Sequence, residues 1–246
     1  MSKTIERAFR FFDVDSSGVV RSRNGSLTWP AIGEWVEFAG KVEKCRSGLH
    51  ASPTVLAALT CRQGSTLGCV EADGIEDRDH EKFACRRMRI VALYSRQHVV
   101  GLAALAAALS LKFFESEYPA DMRPRKAILA CLRWVASKPG SAADAAADAS
   151  VAAASVADAS AYAAAVSAAS AASVAAASAA SVADASAASA ADAAWRSADA
   201  SADARTEWRD EFNVSAIELL ALPASRIGAF VRSKLPIRKG GRRAKA

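Results

Sequence analysis

Between Ser141 and Pro223 the chain contains neither Gly nor Pro, and of the 65 residues from Ser141 to Arg205, 36 are Ala, 13 Ser, 7 Asp and 5 Val. Ala has the highest helix propensity of all residues, so local preference across this window points one way. Ala-rich helix is expected over residues 141–212. An eight-residue repeat runs through it, in AASVADAS (153–160), AASVAAAS (171–178), AASVADAS (179–186) and AASAADAA (187–194). Eight residues turn about 800° on an ideal helix, so each copy is rotated about 80° from the last. Val166, Val174 and Val182 therefore spiral around the axis and make no continuous seam, which disfavours a coiled coil.

A single straight helix over this window would be about 98 Å long, whereas an average globular helix has about 11–12 residues. Two to four antiparallel Ala helices are expected instead. Small side chains let their axes approach closely, although each buries little apolar area. Trp195, Trp208, Phe212, Ile217, Leu219 and Leu220 are the residues expected to anchor the last of them.

Two helices precede the tract. The first spans Gln97 to about Glu117 and is ended by Pro119; its apolar run Val99–Leu111 (VVGLAALAAALSL) is about 13 residues, short of the ~20 needed to cross a bilayer. It reads as a buried helix, and no membrane association is expected. Asp121 then caps a second helix, with Pro124 in its first turn and a stop at Pro139-Gly140. Ile128, Leu132 and Val135 give this helix a face to bury, flanked by Ala127, Cys131 and Trp134.

The first 95 residues are different in kind. Turn formers (SSG, RNGS, AGK, RQGS, ADG) punctuate short apolar runs. Strands are expected at Trp35–Phe38, Leu67–Ala72 and Met88–Leu93, and a helix at Pro53–Cys61 with Ser52 as its N-cap. The fold class is α+β: a small, mostly β domain at 1–95, an Ala-rich helical bundle at 96–222, and a basic tail at 223–246. The tail lacks apolar periodicity, and disorder is expected at its tip.

Charge is segmented along the chain. Residues 1–140 carry a net +6, residues 141–225 a net −8, and the last 21 residues a net +8. A basic domain and basic tail flanking an acidic helix create an internal dipole and offer surfaces to an anionic partner such as nucleic acid. The five cysteines, Cys45, Cys61, Cys69, Cys85 and Cys131, are an odd number without a CxxC pair. That argues for reduced thiols and a cytoplasmic protein. MSKTIERAF is charged and amphipathic, so no secretory signal is expected.

Motifs that carry chemistry are sparse. Asp13-Val-Asp15-Ser-Ser17-Gly18 matches the start of a calcium-binding EF-hand loop, but the twelfth position is Asn24 where a bidentate Glu is needed, and turn formers replace the exit helix. A plain turn is the better reading. Cys45 and His50 are close enough to meet, and His80 and Cys85 lie near one another in sequence; neither pair has zinc-site spacing. A buried thiol with a histidine bonding a turn is the favoured reading of the first pair. A Cys–His nucleophile is the alternative, without a nameable orienting acid or oxyanion loop. HExxH, GxSxG and Gly-rich phosphate loops are absent, so no catalytic residue, cofactor or metal is expected.

Two resemblances add to this. Asp121–Trp134 (DMRPRKAILACLRW), followed by an Ala-dense run, resembles the start of a family of Ala-rich helical immunity proteins found in bacteria near polymorphic toxins and in phages. The matching residues are Asp121, Arg123, Pro124, Arg125, Ala127, Ile128, Arg133 and Trp134, and the resemblance covers roughly residues 97–222. The Ser-rich tract departs from it, where more Arg, His and aromatic residues belong. The N-terminal part resembles a domain of unknown function joined to such helices. Its marks are FFDVDSSGVVRSRNGS, Trp29-Pro30, Gly33-Glu34-Trp35, Cys45 with Gly48-Leu49-His50, and RRMRIVAL. This second resemblance implies a small β-rich domain without an assigned activity.

Together these readings favour a non-catalytic binding protein. The first form is an immunity-type protein that neutralises a toxin or effector by occlusion. Arg123, Arg125, Lys126 and Arg133 on the second helix, and Arg238, Lys239, Arg242 and Arg243 in the tail, are its candidate partner-binding residues. The alternative is a phage or prophage accessory protein whose basic N-terminal domain and tail engage nucleic acid or a nucleotide signal. A third reading places an enzyme at Cys45 and His50.

Overall fold

The computed structural model describes residues 5–22, 27–61, 64, 66–117, 119–136 and 202–237. The Ala helices expected between 141 and 201 lie outside these, together with Trp195, Arg238, Lys239, Arg242 and Arg243.

Six strands form one antiparallel sheet: β1 (Glu6–Val14), β2 (Val20–Arg21), β3 (Trp35–Glu37), β4 (Leu49–Ala51), β5 (Thr66–Arg78) and β6 (Phe83–Leu93). Their order is β2-β1-β5-β6-β3, and β6 is long enough to pair with β4 at Phe83–Cys85 and with β3 at Arg87–Arg89. The residue after β4, Ser52, exchanges two backbone hydrogen bonds with Phe9 of β1 (2.8 and 2.9 Å). That bridge carries β4 back to the first strand and curls the sheet on itself.

The curl explains the composition of β1. Ala8 and Phe12 enter one apolar cluster, with Trp29, Leu49, Val70, Phe83 and Met88, while Phe9 and Phe11 enter a second cluster that includes the helices. Side chains alternate between the faces of a strand, so a strand buried on both faces reads as a near-continuous apolar run. The strand was not expected from sequence.

The expected helix at Pro53–Cys61 is shorter, α1 over Val55–Thr60, and Thr54 caps it where Ser52 was expected. The Thr54 hydroxyl accepts from the Ala57 N–H at 3.1 Å, whereas the Ser52 backbone is committed to Phe9. The EF-hand-like segment is the β1–β2 hairpin turn. Asp15 Oδ1 accepts from the backbone N–H of Ser17 and Val19 and from the Ser17 hydroxyl (3.0, 3.0 and 2.6 Å), and Gly18 supplies the left-handed φ of 81°.

Helices follow the sheet: α2 (Arg96–Glu117), α3 (Arg123–Ala136), α4 (Ala202–Leu220) and α5 (Ala224–Ser233). Every residue of α2 from Val99 to Leu111 is buried, as its apolar run predicts. Ser110, the one hydroxyl in that run, is satisfied by donating to Ala106 O at 2.9 Å. A Cβ on Gly101 would lie 2.5 Å from Ile227 Cγ2, so glycine at this point lets α5 sit directly against α2. Ile128, Leu132 and Val135 of α3 are buried as expected, together with Cys131. No helix among the described residues is long and apolar enough to cross a membrane.

Two expectations about the C-terminal part give way. Trp208, Phe212, Leu219 and Leu220 are buried, but Ile217 is 56% exposed, because it falls on the solvent side of α4. The segment read as lacking apolar periodicity forms α5, where Ile227 and Val231, one helical turn apart, are fully buried. Asn213 Oδ1 accepts from the Leu56 N–H (3.1 Å), tying α4 to the start of α1. His98 Nε2 meets Leu222 O at 2.9 Å. A carbonyl only accepts, so Nε2 carries the proton and Nδ1 accepts from the Ser95 hydroxyl at 2.7 Å.

Candidate functional site

A cleft of about 630 Å³ opens where β1, β4 and the loops after β3 and β5 meet. Its floor is set by the alternation along β1. Arg10 has the same parity as Ala8 and Phe12, which puts a guanidinium on the face that buries those two residues. Its charge lies over the rings of Phe12 and Trp29, 5.7 and 5.2 Å from their centroids. Arg10 Nη1 donates to His50 O (2.9 Å) and Nη2 to Ser22 Oγ (3.0 Å), and the Trp29 indole N–H donates to the same hydroxyl (3.1 Å). No carboxylate among the described residues pairs with Arg10. Burial lowers its pKa to about 10, and the Cys85 thiol opposes that fall.

The loop before β4 forms one wall. Glu43 and Ser47 exchange backbone hydrogen bonds of 3.0 and 2.9 Å, and Cys45 between them takes a left-handed φ of 67°. Gly48, with φ 104°, turns the chain into β4. The structure does bring Cys45 and His50 together, through the backbone: His50 Nε2 accepts the Cys45 N–H at 3.0 Å. That nitrogen is therefore not presented to the Cys45 thiol. His50 is a turn-bonding histidine as favoured, but the Cys45 thiol is exposed where a buried one was expected. The His50 pKa is lowered from 6.5, by burial first and then by Arg10 and Lys82, with the Glu43 and Gly48 carbonyls opposing.

Lys82, in the β5–β6 turn, also lines the cleft. Asp79 holds this turn by accepting the backbone N–H groups of Glu81 and Lys82, both at 2.8 Å, and its other oxygen takes Lys44 Nζ at 2.7 Å. These contacts, led by Lys44, hold the Asp79 carboxyl well below the usual range. Asp79 is thus spent on Lys44 and the turn. The Lys82 ammonium lies beside the Cys45 thiol, which raises its pKa more than Cys61 or Asp79 does.

Elsewhere on the sheet, cations are neutralised locally. Arg89 donates twice to Glu71 Oε2 (2.8 and 2.6 Å), Arg86 twice to Glu76 Oε1 (2.9 and 2.6 Å), and Arg87 lies 2.9 Å from Glu37 and 3.5 Å from Asp73. Arg87 and Arg89 both lie 4.9 Å from the Trp35 ring. Of the charged residues lining the cleft, Arg10, Arg46 and Lys82 are basic and Glu37 alone is acidic. Arg46 is paired with Glu43 at 3.8 Å, and Glu37 with Arg87.

The residues expected from sequence to bind a partner lie away from this cleft. Arg125 grips Glu115 with Nε and Nη2 (2.8 and 2.7 Å) and also donates to Pro236 O (2.8 Å), so it clamps α2, α3 and the segment after α5. Its expected availability to a partner yields to this internal pair, in which both side chains are largely buried. Lys126 and Arg133 are exposed on α3, and Arg123 begins that helix. His80 is exposed and Cys85 is buried within β6, and no three metal-ligating side chains gather among the described residues. Sequence reasoning missed Arg10 and Lys82. The available signal for Arg10 is a charged residue between two apolar residues of the same strand parity.

Residues 7–101 match a family described as a domain of unknown function (DUF7666). The match spans all but the first residue of the sheet, and α1, and ends in the second turn of α2. No curated protein and no solved structure matches the chain.

Proposed function

We propose that this is a non-catalytic binding protein whose N-terminal domain takes up an anionic partner in the cleft between β1, β4 and the β5–β6 turn. Arg10 carries the reading: a half-buried guanidinium with no carboxylate beside it among the described residues, where the other described sheet arginines are paired. Placing a charge in low dielectric without a counterion is costly, and an anion entering the cleft offsets that cost. Lys82, which lines the same cleft, reinforces the attraction. The His50 nitrogen held by a backbone N–H supports binding over general-base chemistry. The test is calorimetric titration of the full chain with phosphate, citrate and a short DNA, each at low and moderate salt. Binding to the intact chain that is lost in Arg10→Gln is expected; the same affinity in both proteins removes the cleft as the site.

A second reading, occlusion of a toxin or effector protein by the helical part, draws support from Lys126 and Arg133, both exposed on α3. It predicts a protein partner whose capture is lost when both are changed to Glu and is indifferent to Arg10→Gln.

A further inference from the structure

Resting on the anion-binding reading, we infer that the cleft is built for the terminal phosphate monoester of a small molecule, held between Arg10 and Lys82. Three observations converge on that chemistry. The first is charge. Arg10 and Lys82 both line the cleft without an ion-pair partner among the described residues, while the lining carboxylate, Glu37, is held by Arg87. Two free positive charges match a monoester, which carries about −1.5 to −2 at neutral pH; a diester or a single carboxylate leaves one cation unneutralised.

The second observation is depth. The Arg10 guanidinium is sunk among Phe12, Trp29, Ser22 and the His50 carbonyl. A terminal phosphate can enter so far, but a phosphodiester chain running over a surface presents its charge at the rim. The third is size. The cleft volume of about 630 Å³ lies inside the range of small-molecule pockets. Phe38 lines the same space and provides an apolar surface for the organic part of the ligand.

Arginine is suited to this task because its planar fork of donors remains charged even when buried. Two of its nitrogens already bond protein oxygens, which fix the guanidinium in place before the ligand arrives. Lys82 supplies a second, mobile point charge on a turn that Asp79 has already ordered.

The experiment titrates the full chain calorimetrically with inorganic phosphate, adenosine 5′-monophosphate, the cyclic 3′,5′ diester of the same nucleoside, and citrate. The monoester is expected to bind, with the cyclic diester weaker by about tenfold or more, and Lys82→Gln to lose about tenfold, the scale of one charge-assisted contact. Arg10→Gln should lose more, with circular dichroism reporting whether it folds; Lys82 lies on an exposed turn, so its variant keeps the test valid if Arg10→Gln does not fold. Arg226→Gln, exposed on α5 and outside the cleft lining, serves as the unchanged control. Arg10-dependent binding of the diester or citrate as tight as the monoester overturns the monoester inference and leaves the anion-binding reading standing. No binding of any probe at millimolar concentration overturns both.

Discussion

The sheet and the helices meet in one apolar core, yet they handle charge in opposite ways. Phe9, Phe11, Leu67 and Cys69 of the sheet belong to the same cluster as Leu105, Ile128, Trp208 and Ile227 of the helices. Within the helices the most buried ion pair among the described residues, Arg125 with Glu115, is bidentate. The sheet shows both conditions. Along β5 and β6 its arginines pair with carboxylates, whereas in the cleft Arg10 and Lys82 have no ion-pair partner among the described residues. A charge neutralised within the fold acts as structure; one left unneutralised at a cleft costs stability and is retained where something else can neutralise it.

The largest test of the shared core is Trp208→Ala. Trp208 is 1% exposed and stacks on Phe212 with ring centroids 5.5 Å apart. Its loss should cost about 3–5 kcal/mol. Because the cluster includes sheet residues, urea unfolding followed by helix ellipticity and by the fluorescence of the remaining tryptophans should shift together. Separate transitions would show two independent cores.

A smaller effect separates paired from unpaired cations. Glu71 serves Arg89 at 2.6 Å and Arg7 at 3.7 Å, so Glu71→Ala strands two arginines and should cost about 1–3 kcal/mol. Arg10→Met removes a cation that no carboxylate among the described residues pairs with, together with its hydrogen bonds to the His50 carbonyl and Ser22, and should change stability by within about 1 kcal/mol, since an apolar replacement of a buried charge is often neutral. Equal losses in the two variants would break the contrast between ladder and cleft.

The smallest effect concerns pH. His50 titrates lower in the folded protein than its ordinary 6.5, mainly because it is buried. The unfolded chain therefore binds the proton more readily, so the contribution of His50 to stability is complete above 6.5 and is lost as pH falls from there through the folded value. Urea midpoints at pH 7.5 and 5.0 should fall further for the native chain than for His50→Gln. Identical falls would mean that the loop does not depend on the neutral ring.

Several of these elements can be read directly from local sequence. The 13-residue apolar run of α2 is buried on all sides, and Pro124 stands one residue inside the start of α3. The strands at Trp35 and Met88 are also visible locally, although β5 and β6 extend beyond the expected spans as the two arms of a long hairpin. β1 escaped notice because both its faces are buried, which removes the alternation that identifies a strand. α5 escaped because the strongly basic residues 234–245 that follow it mask the Ile227–Val231 pair.

By itself the sequence determined which stretches favour helix or strand and where charge accumulates, since propensity, period and punctuation are local properties. It also placed Cys45 and His50 within reach of each other, five residues apart. The tertiary structure decided what those residues do. Arg10 meets the His50 carbonyl across 40 residues because the bridge between Ser52 and Phe9 brings β1 to the end of β4, and Lys82 reaches the Cys45 thiol because β4 pairs with β6. The same long-range packing assigned Arg125 to Glu115 and left Arg10 without a carboxylate. Whether a cation is neutralised depends on which side chains surround it, and that neighbourhood forms only when distant segments of the chain are brought together.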